Sequence, residues 1–387
     1  MKIDYSKYID RIKFWQKVIE NTKEFTGTSP PSIFIGRWRY PKVFVGILAP
    51  PEHREDAEIF DFPEKWYKQK ARLKDIVNYR GQLIYSRFRV STVKIPSTKL
   101  VETTKELAMA KRAIDVEIHL KKTPKFKFQF SHWVQPIGNP APVDKAVITE
   151  NPRVERKVEY LVGDYDLKAQ DAVAELYKHG LPVSRIQKIF SVGLLGLPIQ
   201  RKLVPTRWSI TAVDDIIGKK LMEDVKKCKE LGEILLFNNE YLGNHYEILL
   251  LPGNYQYELI ESWSINSAYS DYEPYWGRKT YASATGGCFY AVRLAVLEYL
   301  KRIKRQATVL VIREVKPDYS VPVGIWQARE TVRGAFDKRP QKFVSLENAI
   351  KVICTRLRMR DRWIKKSKLL KTLKEQKKIN IYLQQRR

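Results

Sequence analysis

Cysteine and histidine are scarce in this chain of 387 residues. The three cysteines, Cys228, Cys288 and Cys354, lie far apart in sequence, and the five histidines show no ligand spacing such as His-x-x-x-His. This spacing argues against a disulfide framework and against a cysteine-based zinc ribbon. It indicates a reducing compartment, and we expect a cytoplasmic protein. No nucleophile elbow occurs either, so the sequence offers no evidence for a Ser/His/Asp triad.

Long apolar runs are also missing. No run free of Asp, Glu, Lys and Arg reaches the roughly 20 residues that a membrane-spanning helix needs. Charged residues such as Lys2, Asp4 and Lys7 interrupt the N-terminus, so no secretion signal is expected there. With 44% hydrophobic and 12% aromatic residues, the composition is that of a globular protein. We therefore expect no membrane partner.

Acidic residues are few relative to basic ones. The chain has 43 Asp and Glu against 71 Lys and Arg, a formal net charge of +28. A surface tuned only for solubility or heat resistance would carry balanced charge. The excess instead predicts a polyanionic partner such as DNA, because cations that neutralise phosphates release bound counterions. The excess is concentrated at the C-terminus, where residues 351–387 contain only two acids, Asp361 and Glu375.

The patterns along the chain predict an α+β fold in which helices pack on mixed sheets. An amphipathic helix is expected over residues 5–25. Strands are expected at 32–36 and 43–48, joined by the basic and aromatic sequence Arg-Trp-Arg-Tyr-Pro. The proline-rich residues 123–152 predict an ordered loop or crossing segment. Residues 266–278, rich in Ser, Asn, Asp, Tyr and Trp, predict a loop, either at a domain junction or at a ligand site.

Several arginines and glycines are candidates for phosphate binding. Gly286 and Gly287 stand at a predicted helix start between Arg278 and Arg293, where backbone N–H groups and the helix dipole favour an anion. The alternative there is a tight turn with a surface arginine. The same role is open to three further arginines in charged or basic, aromatic segments, Arg37, Arg329 and Arg333.

The last two of these arginines lie four residues apart and therefore on one helix face. They could equally build a buried ion-pair network, and the sequence does not decide between these roles.

One acidic pair and the arginine before it are the catalytic candidates. Asp214 and Asp215 follow Arg207 on a predicted helix, and paired carboxylates can hold Mg²⁺ or Mn²⁺ for phosphodiester chemistry. The alternative is that the two acids only stabilise the helix, because its dipole favours negative charge near the N-terminus. A divalent metal is therefore left open as a cofactor, and no metal ligand set is assigned.

The extreme C-terminus carries a short interaction motif. Gln376, Ile379, Tyr382 and Leu383 occupy positions 1, 4, 7 and 8 of an octapeptide. This spacing matches the peptide that binds the sliding clamp PCNA, in which one helical turn places the three apolar side chains in a pocket while the glutamine hydrogen-bonds beside it. The alternative is the last amphipathic turn of a basic helix.

Several long blocks together resemble the archaeal Nre (NreA-type) DNA repair protein family. They are Ser29–Arg37, Tyr40–Val43, Val204–Asp215, Gly286–Leu300, Arg305–Glu314 and Pro322–Arg333. The resemblance implies a role in DNA damage repair, an N-terminal and a C-terminal Nre region, and often a clamp-binding C-terminus.

Many members of that family begin with a four-cysteine zinc element, whereas residues 1–27 here contain no cysteine, so no structural zinc is expected. The resulting division is 1–27 as an N-terminal helix, 28–270 and 271–350 as the two Nre regions, and 351–387 as a basic helical tail with the clamp peptide.

Two functions follow as hypotheses. In the first, the chain is a non-catalytic repair factor that binds DNA through basic surfaces and is recruited by the clamp. In the second, it is a metal-dependent enzyme acting on a nucleic-acid phosphodiester or a nucleotide, with Arg37, Arg207, the two aspartates and the glycine pair lining one pocket. The first is preferred and catalysis is left open; convergence of these distant segments in space would discriminate between the two.

Overall fold

Helices and mixed sheets make up the protein, as the sequence predicts. The computed structural model describes residues 16–125 and 137–375. Within those residues, none of the helices has both the length and the apolar character needed to cross a membrane. The α+β fold class is confirmed.

The chain forms two compact units. The first runs to Ile217 and also includes Ser320–Gly324. The second contains Gly218–Tyr319 and the chain from Ile325 onward. Each has its own six-stranded sheet.

The sheet of the first unit mixes antiparallel and parallel pairs. Its strands are β1 (Glu24–Ser29), β2 (Ser32–Ile35), β3 (Lys42–Ala49), β4 (Ile84–Ser91), β5 (Ile114–Leu120) and β6 (Asn139–Ile148). Their spatial order is β1-β5-β6-β4-β3-β2, and only the β4–β6 pair is parallel. Because successive side chains point to opposite faces, Val43, Val45 and Ile47 are buried, while Phe44 lies on the other face and is half-buried.

Seven α-helices follow β3 in the described part of the first unit, and the last of them extends into the second unit. They are α1 (Pro63–Lys68), α2 (Leu73–Gly81), α3 (Lys99–Met109), α4 (Arg156–Gly163), α5 (Ala169–Lys178), α6 (Val183–Ser191) and α7 (Thr206–Val225). Both α3 and α6 pack on β2, and α3 also contacts β6. The division between the units falls within α7.

The second unit has a larger mixed sheet and a short parallel pair. Its strands are β7 (Lys229–Glu230), β8 (Ile234–Tyr241), β9 (Asn244–Leu251), β10 (Gln256–Ser264), β11 (Ser267–Glu273), β12 (Arg305–Gln306), β13 (Thr308–Val315) and β14 (Gln341–Phe343). The main sheet has the order β11-β10-β13-β9-β8-β14, in which β10 and β13 are parallel, and β7 pairs with β12.

Helices lie on both faces of this sheet. They are α8 (Gly287–Arg302), α9 (Trp326–Ala335), α10 (Leu346–Arg356) and a last helix whose described part is 368–375. On one face the Tyr257 hydroxyl donates to the Phe289 carbonyl of α8, at 3.2 Å. On the opposite face Ile260 packs in one cluster with Ile353 and Trp363. The described chain after α9 is therefore part of the second core.

The N-terminal helix is shorter than the sequence predicts within the described residues. It ends at residue 20, and β1 begins at Glu24, where a helix to residue 25 is expected. The partner of β1 is β5, about ninety residues away in sequence. Local periodicity carries no information about such a distant partner.

The proline-rich segment also differs from its prediction, because residues 139–148 form β6. Its two prolines fall in the half that pairs with β4, where Tyr85 faces Pro140 and Arg87 faces Pro142. The proline-free half pairs with β5. Proline lacks the N–H that a ladder needs, so a strand carrying two of them reads as a loop.

Residues 267–273, within the segment predicted as a loop, form the edge strand β11. Its serines and aspartate disfavour a strand by propensity. Pairing with β10 along most of its length decides the structure instead.

Candidate nucleic-acid interface

The connection between β2 and β3 carries four exposed basic and aromatic side chains, Arg37, Trp38, Arg39 and Tyr40. The indole of Trp38 is 79% exposed, and the guanidinium carbon of Arg37 lies 5.3 Å from its ring centroid. The backbone is an ordered turn, since the Lys42 N–H donates to the Arg39 carbonyl at 2.9 Å. Arg39 has φ 63°, a left-handed conformation that is uncommon outside glycine.

The start of α7 meets this connection. The rings of Tyr40 and Trp208 lie 5.1 Å apart at an angle of 55°. The Ile35 N–H donates to the Thr206 hydroxyl at 2.9 Å. Two segments about 170 residues apart in sequence are therefore in contact, and the exposed Arg207 belongs to the second of them.

Two more arginines extend from β4 beside the same connection. Arg89 faces Phe44 in the register of β3 and β4. The guanidinium carbons of Arg87 and Arg89 lie 4.1 and 4.8 Å from the Phe44 ring centroid. Both cations are attracted to the ring face, which orients them at the surface of the sheet.

These side chains define what we call the basic–aromatic surface. Its members are Arg37, Trp38, Arg39, Tyr40, Phe44, Arg87, Arg89, Arg207 and Trp208. All lie in three long segments of sequence that contain no Asp or Glu, 25–51, 76–101 and 176–213. Positive charge next to exposed aromatic rings suits the phosphates and bases of a nucleic acid.

The two carboxylates among the catalytic candidates do not point in the same direction. Successive residues on a helix are about 100° apart, so adjacent carboxylates diverge. Asp214 is fully buried and accepts from the Gln187 side-chain amide at 3.3 Å, while Asp215 is half-buried. Over the part of the chain that the structure describes, no group of three or more His, Cys, Asp or Glu could hold a metal ion.

The predicted helix start at the glycine pair is present, since α8 begins at Gly287. Gly286 adopts φ 59° and ψ −138°, a conformation that essentially only glycine adopts. Just before it, the N–H and hydroxyl of Thr285 donate to the Asp271 carboxylate at 2.8 and 2.9 Å. The carboxylate of Asp271 therefore lies next to the residue that precedes the glycine pair.

The arginines beside the glycine pair contact carboxylates of β11. Arg278 forms an ion pair with Asp271 at 3.1 Å and donates to the Tyr272 carbonyl at 2.9 Å. Arg293 is 1% exposed and forms an ion pair with Glu273 at 2.7 Å.

The α9 arginines lie in an ion-pair network. Arg333 donates to both carboxylate oxygens of Glu298, at 2.8 and 2.6 Å, and to Glu330 at 2.8 Å. Arg329 is 1% exposed and lies 3.5 Å from Glu330. Of the two roles open from the sequence, the contacts are those of the ion-pair network.

The clamp peptide residues Gln376, Ile379, Tyr382 and Leu383 lie outside the described residues. The chain immediately before them is anchored to the second sheet. The buried carboxylate of Glu258 accepts from the Ser367 hydroxyl at 2.6 Å and from the N–H groups of Lys368 and Leu369 at 2.8 and 3.1 Å. The helix that follows is described as far as residue 375.

Sequence reasoning missed most of the basic–aromatic surface. Of the connection it selected only Arg37 as a site residue, and it passed over Trp38 and Tyr40. The signal for Arg87 and Arg89 is their alternation in β4, which puts both on one face of the strand. The alternation alone does not identify a site, because the sequence does not show which face of the strand is exposed.

Comparison with known proteins gives consistent results. The model described as archaeal Nre, N-terminal, matches residues 4–270, and the one described as archaeal Nre, C-terminal, matches residues 273–382. The DNA repair protein NreB of Archaeoglobus fulgidus is 36% identical, over 90% of this chain and 90% of that protein.

Two further relatives are comparably similar. The DNA repair protein NreA of the same organism is 38% identical over 89% of this chain and 86% of its own length. The DNA repair protein NreA of Haloferax volcanii is 38% identical over 85% and 83%. No solved structure matches the chain. The two family models together span nearly the whole sequence, and the chain belongs to the archaeal Nre family.

Proposed function

We propose that this protein acts in DNA repair, binds DNA through the basic–aromatic surface, and is recruited by the sliding clamp PCNA through its C-terminal peptide. The observation that carries the DNA-binding part is the contact between Tyr40 and Trp208, which brings two basic, acid-free segments together. Its relatives' names, DNA repair proteins NreA and NreB, support the biological role.

Electrostatics supports DNA as the ligand. Arg37 and Arg207 are exposed, and the segments around them contribute no carboxylate to compete with a phosphate. Each phosphate neutralised makes the slope of log K against log salt more negative by about 0.9 for duplex DNA. Binding of this kind is weakly dependent on sequence.

A salt titration tests this surface. On duplex DNA, Arg37→Gln with Arg207→Gln should make the slope of log K against log salt less negative by about 1.8, because two phosphate contacts are lost. Arg112→Gln with Arg339→Gln is the matched control, since both of those arginines are exposed and lie outside the surface. Equal effects of the two pairs would show that only net charge matters.

The recruitment part depends on the tail. Tyr382 and Leu383 are bulky side chains in a strongly charged sequence. Burying each in a partner gives about 1.5–3 kcal/mol, and ordering the peptide opposes part of this gain. Micromolar affinity is the expected result. Basic neighbours such as Lys377 and Lys378 should speed encounter with an acidic rim.

Calorimetry with a synthetic peptide of residues 372–387 tests recruitment. The peptide should bind the cognate clamp, and Tyr382→Ala with Leu383→Ala should eliminate binding. Replacing Lys377 and Lys378 by glutamine is the control, which should change the affinity much less, because these lysines act mainly on the rate of encounter. No heat of binding for the unmodified peptide would contradict the proposal.

A further inference from the structure

We propose that the basic–aromatic surface selects single-stranded DNA, by stacking unpaired bases on Trp38 and on the Tyr40–Trp208 pair. This inference rests on the proposed DNA-binding function and specifies the form of DNA that is bound. Its basis is the coincidence of exposed indole and phenol rings with unopposed arginines in one ordered region.

The three aromatic rings of this surface are exposed to solvent. Trp38 is 79% exposed, Tyr40 47% and Trp208 44%. A duplex presents phosphates and sugars outward and keeps its base faces stacked inside. An aromatic ring that protrudes from a binding surface gains little from such a backbone. Unpaired bases, in contrast, each offer a face on which an aromatic side chain can stack.

The backbone that carries Trp38 and Tyr40 is ordered before binding. The Thr92 N–H donates to the Pro41 carbonyl at 2.9 Å, which ties the connection to the end of β4. The angle of 55° between Tyr40 and Trp208 prevents face-to-face closure, so both rings keep surface open to solvent. A prearranged platform loses less conformational entropy when a strand binds.

The side chains next to the rings have different roles. The Phe44 ring is already contacted by Arg87 and Arg89 and is therefore a positioning residue for those cations. The guanidinium carbon of Arg37 lies 5.3 Å from the Trp38 ring centroid, so this cation is next to a stacking ring. Backbone phosphates next to a base stacked there would meet positive charge.

The test compares two forms of DNA by fluorescence anisotropy. The full chain is titrated into a labelled single strand of about 15 nucleotides and into the duplex of the same sequence. The unmodified protein should bind the single strand more tightly. Trp38→Ala should weaken single-strand binding roughly tenfold or more and leave duplex binding within about twofold. Trp38→Phe should retain most of the affinity because stacking survives.

Trp276→Ala is the matched control, because Trp276 is 82% exposed and belongs to the other compact unit. It should change neither affinity. Equal loss on both forms of DNA after Trp38→Ala, or no loss on either, would overturn the inference while leaving DNA binding intact. Tighter binding of an RNA strand of the same sequence would also overturn it. Failure of the unmodified protein to bind any DNA would instead refute the proposed function.

Discussion

At the scale of single residues, buried carboxylates organise each compact unit. Asp61 in the first unit accepts from Arg80 at 2.5 Å and from the Ser32 hydroxyl, and lies 3.1 Å from Lys188. Burial alone would raise the pKa of Asp61, but the two cations and the hydroxyl more than offset it. The pKa therefore lies below its usual value of 3.8.

The sign of this shift gives a pH dependence. Asp61 contributes its stability above pH 3.8 and loses it as the pH falls through the lowered value. Asp61→Asn should cost about 3–5 kcal/mol at neutral pH, because it leaves the buried Arg80 and the half-buried Lys188 without their counter-charge. Urea unfolding at several pH values should show this gap shrinking in acid, and exposed Asp144→Asn should cost under about 1 kcal/mol. A gap that is constant with pH would contradict the assignment.

Glu258 has the corresponding position in the second unit, where it accepts from Ser367, Lys368 and Leu369. Glu258→Gln removes the charge and replaces one of the two acceptor oxygens by an NH2 donor that faces these donors. Urea unfolding should show a loss of about 1.5–3 kcal/mol, and limited proteolysis should cleave faster after α10. Exposed Glu55→Gln is the control. Equal stability of the two variants would show that this carboxylate does not anchor the tail.

The arginines illustrate what sequence can and cannot predict of a site. Arg37 and Arg207 are exposed beside aromatic rings, whereas Arg293 and Arg329 are buried against glutamates. In the sequence all four are cations near apolar neighbours. Their different environments arise from strand pairing and helix packing across long sequence distances, which local composition does not encode.

At the scale of elements, the start of α8 depends on a backbone conformation that favours glycine. Gly286 has φ 59° and ψ −138°, and an added Cβ would find its nearest neighbour, the Tyr281 hydroxyl, at 3.5 Å. Space is therefore available, and the cost of Gly286→Ala is backbone strain of about 1–3 kcal/mol. Gly163→Ala in α4, where φ is not positive, should be neutral or stabilise by up to about 1 kcal/mol.

Thermal unfolding of the two alanine variants measures this difference. The melting temperature should fall for Gly286→Ala and stay level or rise for Gly163→Ala. A fall of equal size in both would show that the conformation of Gly286 is not what requires glycine there.

The elements also divide by how far the sequence predicts them. The strands β2 and β3 follow from their short, apolar sequences rich in strand-favouring residues, at 32–36 and 43–48. β6 and β11 do not follow, because pairing with distant strands overrides their prolines and polar residues. Non-local pairing is therefore the part of this fold that one sequence does not reveal.

At the scale of the whole molecule, the net charge of +28 includes two separate concentrations of basic residues. Part of it forms the basic–aromatic surface in the first unit. Another part lies in residues 351–387, of which Leu357, Trp363 and Leu369 are buried in the second unit. A deletion meant to remove the clamp peptide alone must therefore begin after Glu375.

The proposed function requires that one chain contact DNA and the clamp through separate regions. Its most direct test is the affinity of the full chain for a primed DNA strand with and without the cognate clamp loaded on it. Two linked contacts raise affinity without new interactions, so the clamp should tighten binding about tenfold or more. The truncation after Glu375 should keep its affinity for bare DNA and lose this gain. An equal gain for the truncated chain, or none for the full chain, would contradict the account.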